Sequence, residues 1–96
     1  MTRNHFLVSY DIADDKRRSK VFTLLRDNGD HVQYSVFFCE LNRRELAALK
    51  SRLTAEIHQS EDQVLVVDLG PASEPLDSGI DCIGKPYDPT PRVFVV

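Results

Sequence analysis

The 96-residue sequence contains no run of about 18 apolar residues, which excludes a membrane-spanning helix of ordinary length. Its first residues, MTRNHFLVSYD, carry one Arg and a short apolar stretch that ends in a charge. They lack the longer apolar core and small-residue cleavage site of a secretion signal, so the expected compartment is the cytoplasm. The two cysteines, Cys39 and Cys82, lie far apart and match no metal-ligand spacing. They read as a pair of reduced, buried thiols. There is no G-x-S-x-G turn to present a nucleophilic serine and no Gly-rich phosphate loop. No internal repeat or low-complexity segment is present. An excess of positive charge is missing too: the net charge is −3, which argues against a surface coated for nucleic acid. It leaves room for a local basic patch, and Lys16, Arg17, Arg18 and Lys20, followed by Arg26, form one.

What is present is enough for one domain. A chain of this length buries roughly 60–68% of the surface it exposes unfolded, so a second apolar face on it invites a partner. His5 to Tyr10 reads as a strand, with Phe6, Val8 and Tyr10 on one face. His5, Leu7 and Ser9 fall on the other, and Asp11 continues that second face at the strand's end. Asp14 and Asp15 open a helix whose apolar positions are Val21, Leu24 and Leu25, with Phe22 beside them. Asn28-Gly29 reads as a left-handed helix end. Asp30 to Glu40 is strand-like, either as one bent strand or as a hairpin turning near Gln33 to Ser35. Asn42 and Glu45 form a capping-box pair at the start of a second helix, with a stripe of Leu46, Leu49, Leu53 and Ile57. Asp62 to Leu69 is a strand, stopped by Gly70-Pro71. The last part differs in character: residues 70–92 hold all five prolines and three of the four glycines. Within it Ile80 to Ile83 and Arg92 to Val96 are candidate short strands.

The order is strand, helix, strand, strand, helix, strand, then a tail. Two strand-helix-strand units sharing one antiparallel sheet make an α+β, ferredoxin-like two-layer sandwich, βαββαβ, with an extra C-terminal strand or tail. Residues 1–70 form the core on this reading. Residues 71–96 form an extension packing on a second protomer or another protein. Both helices cover one face of the sheet. Val64 to Val67 and Val36 to Cys39 are apolar at four successive positions, so they call for cover on the other face as well. A second copy of the chain packed about a twofold axis would supply it, and so would the Pro-rich tail folding back.

Asp11 ends the first strand and enters the loop to the first helix, a common place for function. It serves either as a turn and cap residue or as a metal ligand. One carboxylate is a poor Mg²⁺ site, but a symmetry mate near a twofold axis would supply a second, and the ion could then activate water for phosphodiester cleavage. Asp14 and Asp15 read as helix-start residues. The basic patch is either a solvated face or a set of phosphate contacts with no sequence readout, and its place at a helix N-terminus opposes the helix dipole. His5, His31 and His58 lie on three elements without ligand spacing. Of these His31 is the candidate for substrate contact.

The segment Val8-Ser9-Tyr10-Asp11-Ile12, then Asp14-Asp15-Lys16-Arg17-Arg18, then Val32-Gln33-Tyr34-Ser35-Val36-Phe37 after Gly29, resembles the small CRISPR-associated endoribonuclease family. That family is the smaller of the two universal spacer-acquisition proteins. The second helix starting at Leu41-Asn42 and the strand ending at Leu69 also match its layout, so the likeness covers residues 5–70. The tail matches loosely, through Ile80 to Lys85. The resemblance implies a ferredoxin-like homodimer with Mg²⁺ or Mn²⁺ shared between the two copies of Asp11. It implies metal-dependent cleavage of RNA or double-stranded DNA, with Asp11 catalytic. By position Tyr10, Arg17 or Arg18, and Phe37 match residues implicated in activity; Lys16, Lys20 and His31, read from the residues themselves, complete the candidate nucleic-acid contacts. It implies a spacer integrase as a further partner, and Arg92 to Val96 as a strand for addition to a neighbour. An alternative within the same family is a non-catalytic, DNA-binding adaptor that bridges integrase dimers. Two positions depart from the family pattern: Phe38 stands where an acidic residue is common, and His31 where a basic one is.

Overall fold

The computed structural model describes residues 2–87. In chain order it has β1 (Arg3–Asp11), α1 (Asp15–Arg26), β2 (Asp30–Gln33), β3 (Val36–Asn42), α2 (Arg43–Glu56) and β4 (Gln63–Pro71), followed by a 3₁₀ turn at Leu76–Gly79. The sheet order is β2-β3-β1-β4 and every pairing is antiparallel. This is the ferredoxin-like βαββαβ sandwich that the element order predicts.

Alternation decides which face of β1 is buried. Phe6, Val8 and Tyr10 enter the core with Phe37, Cys39 and Leu41 of β3. The helices close over them with Val21, Leu24 and Leu25 from α1 and Leu49 and Leu53 from α2. Both helix starts are capped as their sequences require. The Asp14 side chain accepts the Arg17 backbone N–H, and Asn42 and Glu45 make both hydrogen bonds of a capping box. The segment from Asp30 onward is a hairpin, with Gln33 opposite Val36 and a two-residue turn at Tyr34-Ser35.

Gly29 works differently from the expectation. It is not left-handed: among the described residues positive φ occurs at Tyr34, Gly70 and Gly84. Helix α1 ends instead at Asp27 in a right-handed conformation, and the Asn28 side chain donates to the Leu24 carbonyl. What Gly29 provides is closeness. A Cβ there would lie 2.5 Å from Cys39 Sγ and 2.6 Å from the Phe38 carbonyl oxygen. The second of these is backbone in the centre of the sheet and cannot step aside. Gly29→Ala is therefore expected to cost about 1–3 kcal/mol by overpacking. In thermal melts that is a fall of roughly 5–20 °C for a domain of this size; an unchanged melting temperature would show that the strand can shift freely.

The outer face is partly covered by the chain itself. Phe38 is buried there, with Tyr87 edge-on at 5.8 Å between ring centres. Ala72 N–H donates to the Arg3 carbonyl, and a His5 ring nitrogen meets the Glu74 carbonyl at 3.2 Å. Leu65, Val67 and Leu69 of β4 remain exposed on that face. The tail thus covers one part of the apolar face, as one of the two expectations held. Ile80 to Ile83 forms no strand. Arg92 to Val96 lies outside the described residues. Of the cysteines, Cys39 is buried as expected but Cys82 is exposed, with its Sγ donating to the Lys85 carbonyl. No helix among the described residues is long and apolar enough to cross a membrane.

Candidate active site

Asp11 is the last residue of β1, opposite Gln63 of β4, and it is exposed. Its surroundings are held from three sides. The preceding residue, Tyr10, donates its N–H to the Ser35 carbonyl of the β2–β3 turn at 3.2 Å. The following residue, Ile12, is buried in the core. Ala13 N–H then donates to Asp62 Oδ1 at 3.0 Å, and Asp14 caps α1. A short loop between two fixed elements carries the carboxylate into solvent.

Asp62 is the anchor of this arrangement, and the sequence reading missed it. Its side chain is fully shielded from solvent. It accepts hydrogen bonds from His58 N, Ala13 N and Arg17 Nε at 2.8, 3.0 and 2.8 Å, and a second one from Arg17 Nη2 at 3.2 Å. The Arg17 guanidinium and these N–H groups hold the Asp62 carboxyl far below its ordinary value of 3.8. The unfolded chain then takes up this proton first as the pH falls, so the stability from the cluster is complete above about pH 4 and drains away below it. Asp62→Asn should flatten that acid limb of the urea-denaturation midpoint between about pH 5 and 3; a limb of unchanged steepness would place the acid sensitivity elsewhere.

The same cluster answers where the basic patch goes. Arg17, expected at the nucleic acid, is turned inward to Asp62 and also pairs with Glu61 at 3.2 Å. Arg18 donates to the Ile12 carbonyl at 2.9 Å and pairs with Asp15. It lies near enough to Tyr10 to favour the phenolate, although burial outweighs this and raises the Tyr10 hydroxyl's pKa. Lys20 borders a groove between the helices, together with Arg52 and Glu56. Lys16 is exposed in the first turn of α1. Two of the four patch residues thus offset the helix dipole with carboxylates of their own chain.

The Phe37 expectation is corrected, and His31 has a structural role of its own. Phe37 is fully buried, with Tyr10, Phe22 and His31 around it at ring-centre distances of 6.4, 5.5 and 4.9 Å, so it cannot touch a nucleic acid on the surface. His31 packs its ring against Phe22 and Phe37, and its Nε2 sits 2.7 Å from the Tyr34 carbonyl, which accepts only if Nε2 carries the hydrogen. It braces the hairpin turn. Residues brought together at the Asp11 end are therefore Tyr10, Asp11, Arg18 and the turn Tyr34-Ser35.

Among the described residues no group of three or more His, Cys, Asp and Glu side chains could hold a metal. Among the described residues one chain offers a single free carboxylate at this end, Asp11. That donor set, hard oxygen without thiol or imidazole, fits Mg²⁺ or Mn²⁺ that keeps most of its waters, and fits better with a second carboxylate from another copy.

A four-stranded antiparallel sheet under two helices, with a lone acid at the end of its central β1 strand, defines a small ferredoxin-like α+β protein with a polar site at one sheet end. Comparison with known proteins narrows this. The family profile described as CRISPR associated protein Cas2 matches residues 4–74. A Rhodospirillum rubrum protein named CRISPR-associated endoribonuclease Cas2 1 is 40% identical over 91 residues, covering 95% of this chain and 88% of the relative. A Geobacter sulfurreducens protein named CRISPR-associated endoribonuclease Cas2 is 35% identical over 91 residues, covering 95% of each. Among solved structures, a hypothetical protein from Thermus thermophilus superposes with a TM-score of 0.77 at 30% identity, covering 92% of this chain and 99% of that one. Streptococcus pyogenes Cas2 at pH 6.5 does so with a TM-score of 0.73 at 30% identity, covering 83% and 99%. The chain belongs to the Cas2 family of CRISPR-associated proteins.

Proposed function

We propose that this protein is a metal-dependent endoribonuclease of CRISPR adaptation, acting as a homodimer in which two Asp11 carboxylates share a divalent ion. The observation that carries the reading is Asp11 itself: an exposed carboxylate, without a partner among the described residues, on a loop pinned at Tyr10, Ile12 and Ala13. A free acid on so fixed a backbone is poised for a ligand rather than for packing. The names of the Rhodospirillum and Geobacter relatives support ribonuclease chemistry. The exposed apolar positions Leu65, Val67 and Leu69 support a second copy on the outer face.

Bound there, Mg²⁺ or Mn²⁺ would engage a phosphate oxygen and lower the pKa of a coordinated water. The chain's own part is to present oxygen ligands at Asp11 and to hold them still through the Asp62 cluster. Arg18 adds positive charge beside Tyr10, where a phosphodiester would gather negative charge. Support of spacer acquisition, with a spacer integrase as partner and duplex DNA as a further ligand, belongs to the same proposal.

The test is cleavage of labelled single-stranded RNA and duplex DNA in Mg²⁺, Mn²⁺ and EDTA, with sedimentation to establish the dimer. RNA cleavage that EDTA stops is the expected result. Duplex DNA cleavage alone would move the substrate. No cleavage of either by a well-folded dimer would turn the reading to the DNA-binding adaptor.

A further inference from the structure

Tyr34 is the most exposed aromatic side chain among the described residues, and it stands at the Asp11 end of the sheet. It is 90% exposed and sits at φ 39°, in the left-handed region that a tyrosine rarely adopts and where two-residue hairpin turns usually place Asn or Gly. Exposure of the ring and strain of the backbone are both unfavourable, and neither is relieved by packing. The surrounding structure nevertheless enforces them. His31 Nε2 donates to the Tyr34 carbonyl at 2.7 Å, the adjoining Ser35 carbonyl accepts from Tyr10 N–H at 3.2 Å, and Gln33 pairs with Val36. The His31 ring is itself wedged between Phe22 and Phe37. The tyrosine ring therefore stands on a rigid pedestal, which lowers the entropy cost of binding through it. The Ser35–Tyr10 hydrogen bond sets this pedestal one residue from Asp11.

We propose that the Tyr34 ring is a stacking platform for an unpaired nucleobase of a single-stranded RNA whose backbone lies at Asp11. This rests on the function proposed above for the nature of the ligand and adds how that ligand is held. A ring at the tip of a hairpin can cover only a base face that is not already stacked, so it selects single strands over duplex interiors. Such a contact tolerates any base, because every base offers a π-face. The sequence brackets Tyr34 in the hairpin alternative at Gln33 to Ser35, but it does not show that the ring is the part left outside.

The experiment is fluorescence anisotropy with a labelled oligo(A) RNA in EDTA, so that binding is read apart from chemistry, with duplex RNA of equal length alongside. Tyr34→Gly is the informative variant: glycine accepts the positive φ, so the hairpin survives while the ring is lost. Its affinity for oligo(A) should fall by about 5- to 100-fold. Duplex binding should not change, and Tyr34→Phe and Tyr34→Trp should bind oligo(A) like the parent. The proposal is overturned if the parent does not bind oligo(A), if Tyr34→Gly binds as tightly as the parent, or if Tyr34→Phe is as weak as Tyr34→Gly. It is also overturned if Tyr34→Gly lowers the melting temperature or changes the dimer, which would make the ring structural; relief of the positive φ by itself should hold or raise the melting temperature. Tyr34-dependent binding by a protein that cleaves nothing in Mg²⁺ or Mn²⁺ would sink the nuclease reading and leave the stacking site standing.

Discussion

Asp11→Asn is expected to lower metal-dependent cleavage by about 10²–10⁴-fold while leaving the protein folded. The size follows from what the carboxylate is asked to supply. A bound divalent ion lowers the barrier of phosphodiester attack by several kcal/mol, and each 1.4 kcal/mol or so is a factor of ten in rate. Asparagine keeps the shape but removes the charge that retains the ion. The fold should not notice: Asp11 is exposed and has no hydrogen-bonded partner among the described residues to strand, so the change in stability should stay within about 0.5 kcal/mol. Cleavage that survives in Asp11→Asn at the parent's rate would mean a contaminating nuclease or a site elsewhere. Sharing between protomers has its own signature. In randomly reassorted mixtures of equal parent and variant, about a quarter of dimers carry two aspartates, so activity near a quarter marks a shared ion and activity near one half marks independent sites.

The parts of this structure that local chemistry determines could be read from the chain. Alternation in β1 named the buried face, and Asn42 with Glu45 announced the second helix down to both hydrogen bonds. The parts that depend on distant residues could not. Arg17 reads as a surface cation because its partner, Asp62, lies 45 residues away, and only the β1–β4 pairing brings them together. Gly29 reads as a helix terminator because the helix is next to it in sequence, whereas the strand that needs its missing Cβ comes ten residues later. The run from Val36 to Cys39 is apolar throughout, so alternation could not say that Phe37 faces the helices and Phe38 faces away. The hairpin alternative put the turn at Gln33 to Ser35, as found, but a strand-like stretch does not say which of those residues the turn will expose. Asp11 was legible because a lone acid at the end of an alternating apolar strand is a local pattern. Its holder Asp62 was not, although an acid just before a strand and four residues past His58 is the signal that could have found it.

Phe37 separates chemistry from stability most sharply. Its side chain is fully buried where β3, α1 and β1 meet, with Tyr10, Phe22 and His31 around it. Phe37→Ala should cost about 3–5 kcal/mol from lost burial and the cavity left behind. A chain of this size has only about 5–14 kcal/mol in total, so roughly a fifth or more of the stability goes, and the melting temperature falls by roughly 12–40 °C. Cleavage will fall too, but by following the folded fraction: it should recover on cooling or with an osmolyte, and Phe37→Leu, which keeps most of the volume, should retain much more of it. A residue that touched the substrate would behave in the opposite way. Phe37→Ala would then melt like the parent and stay inactive at every temperature, and that outcome would put the aromatic ring back at the nucleic acid and overturn the packing role assigned to it here.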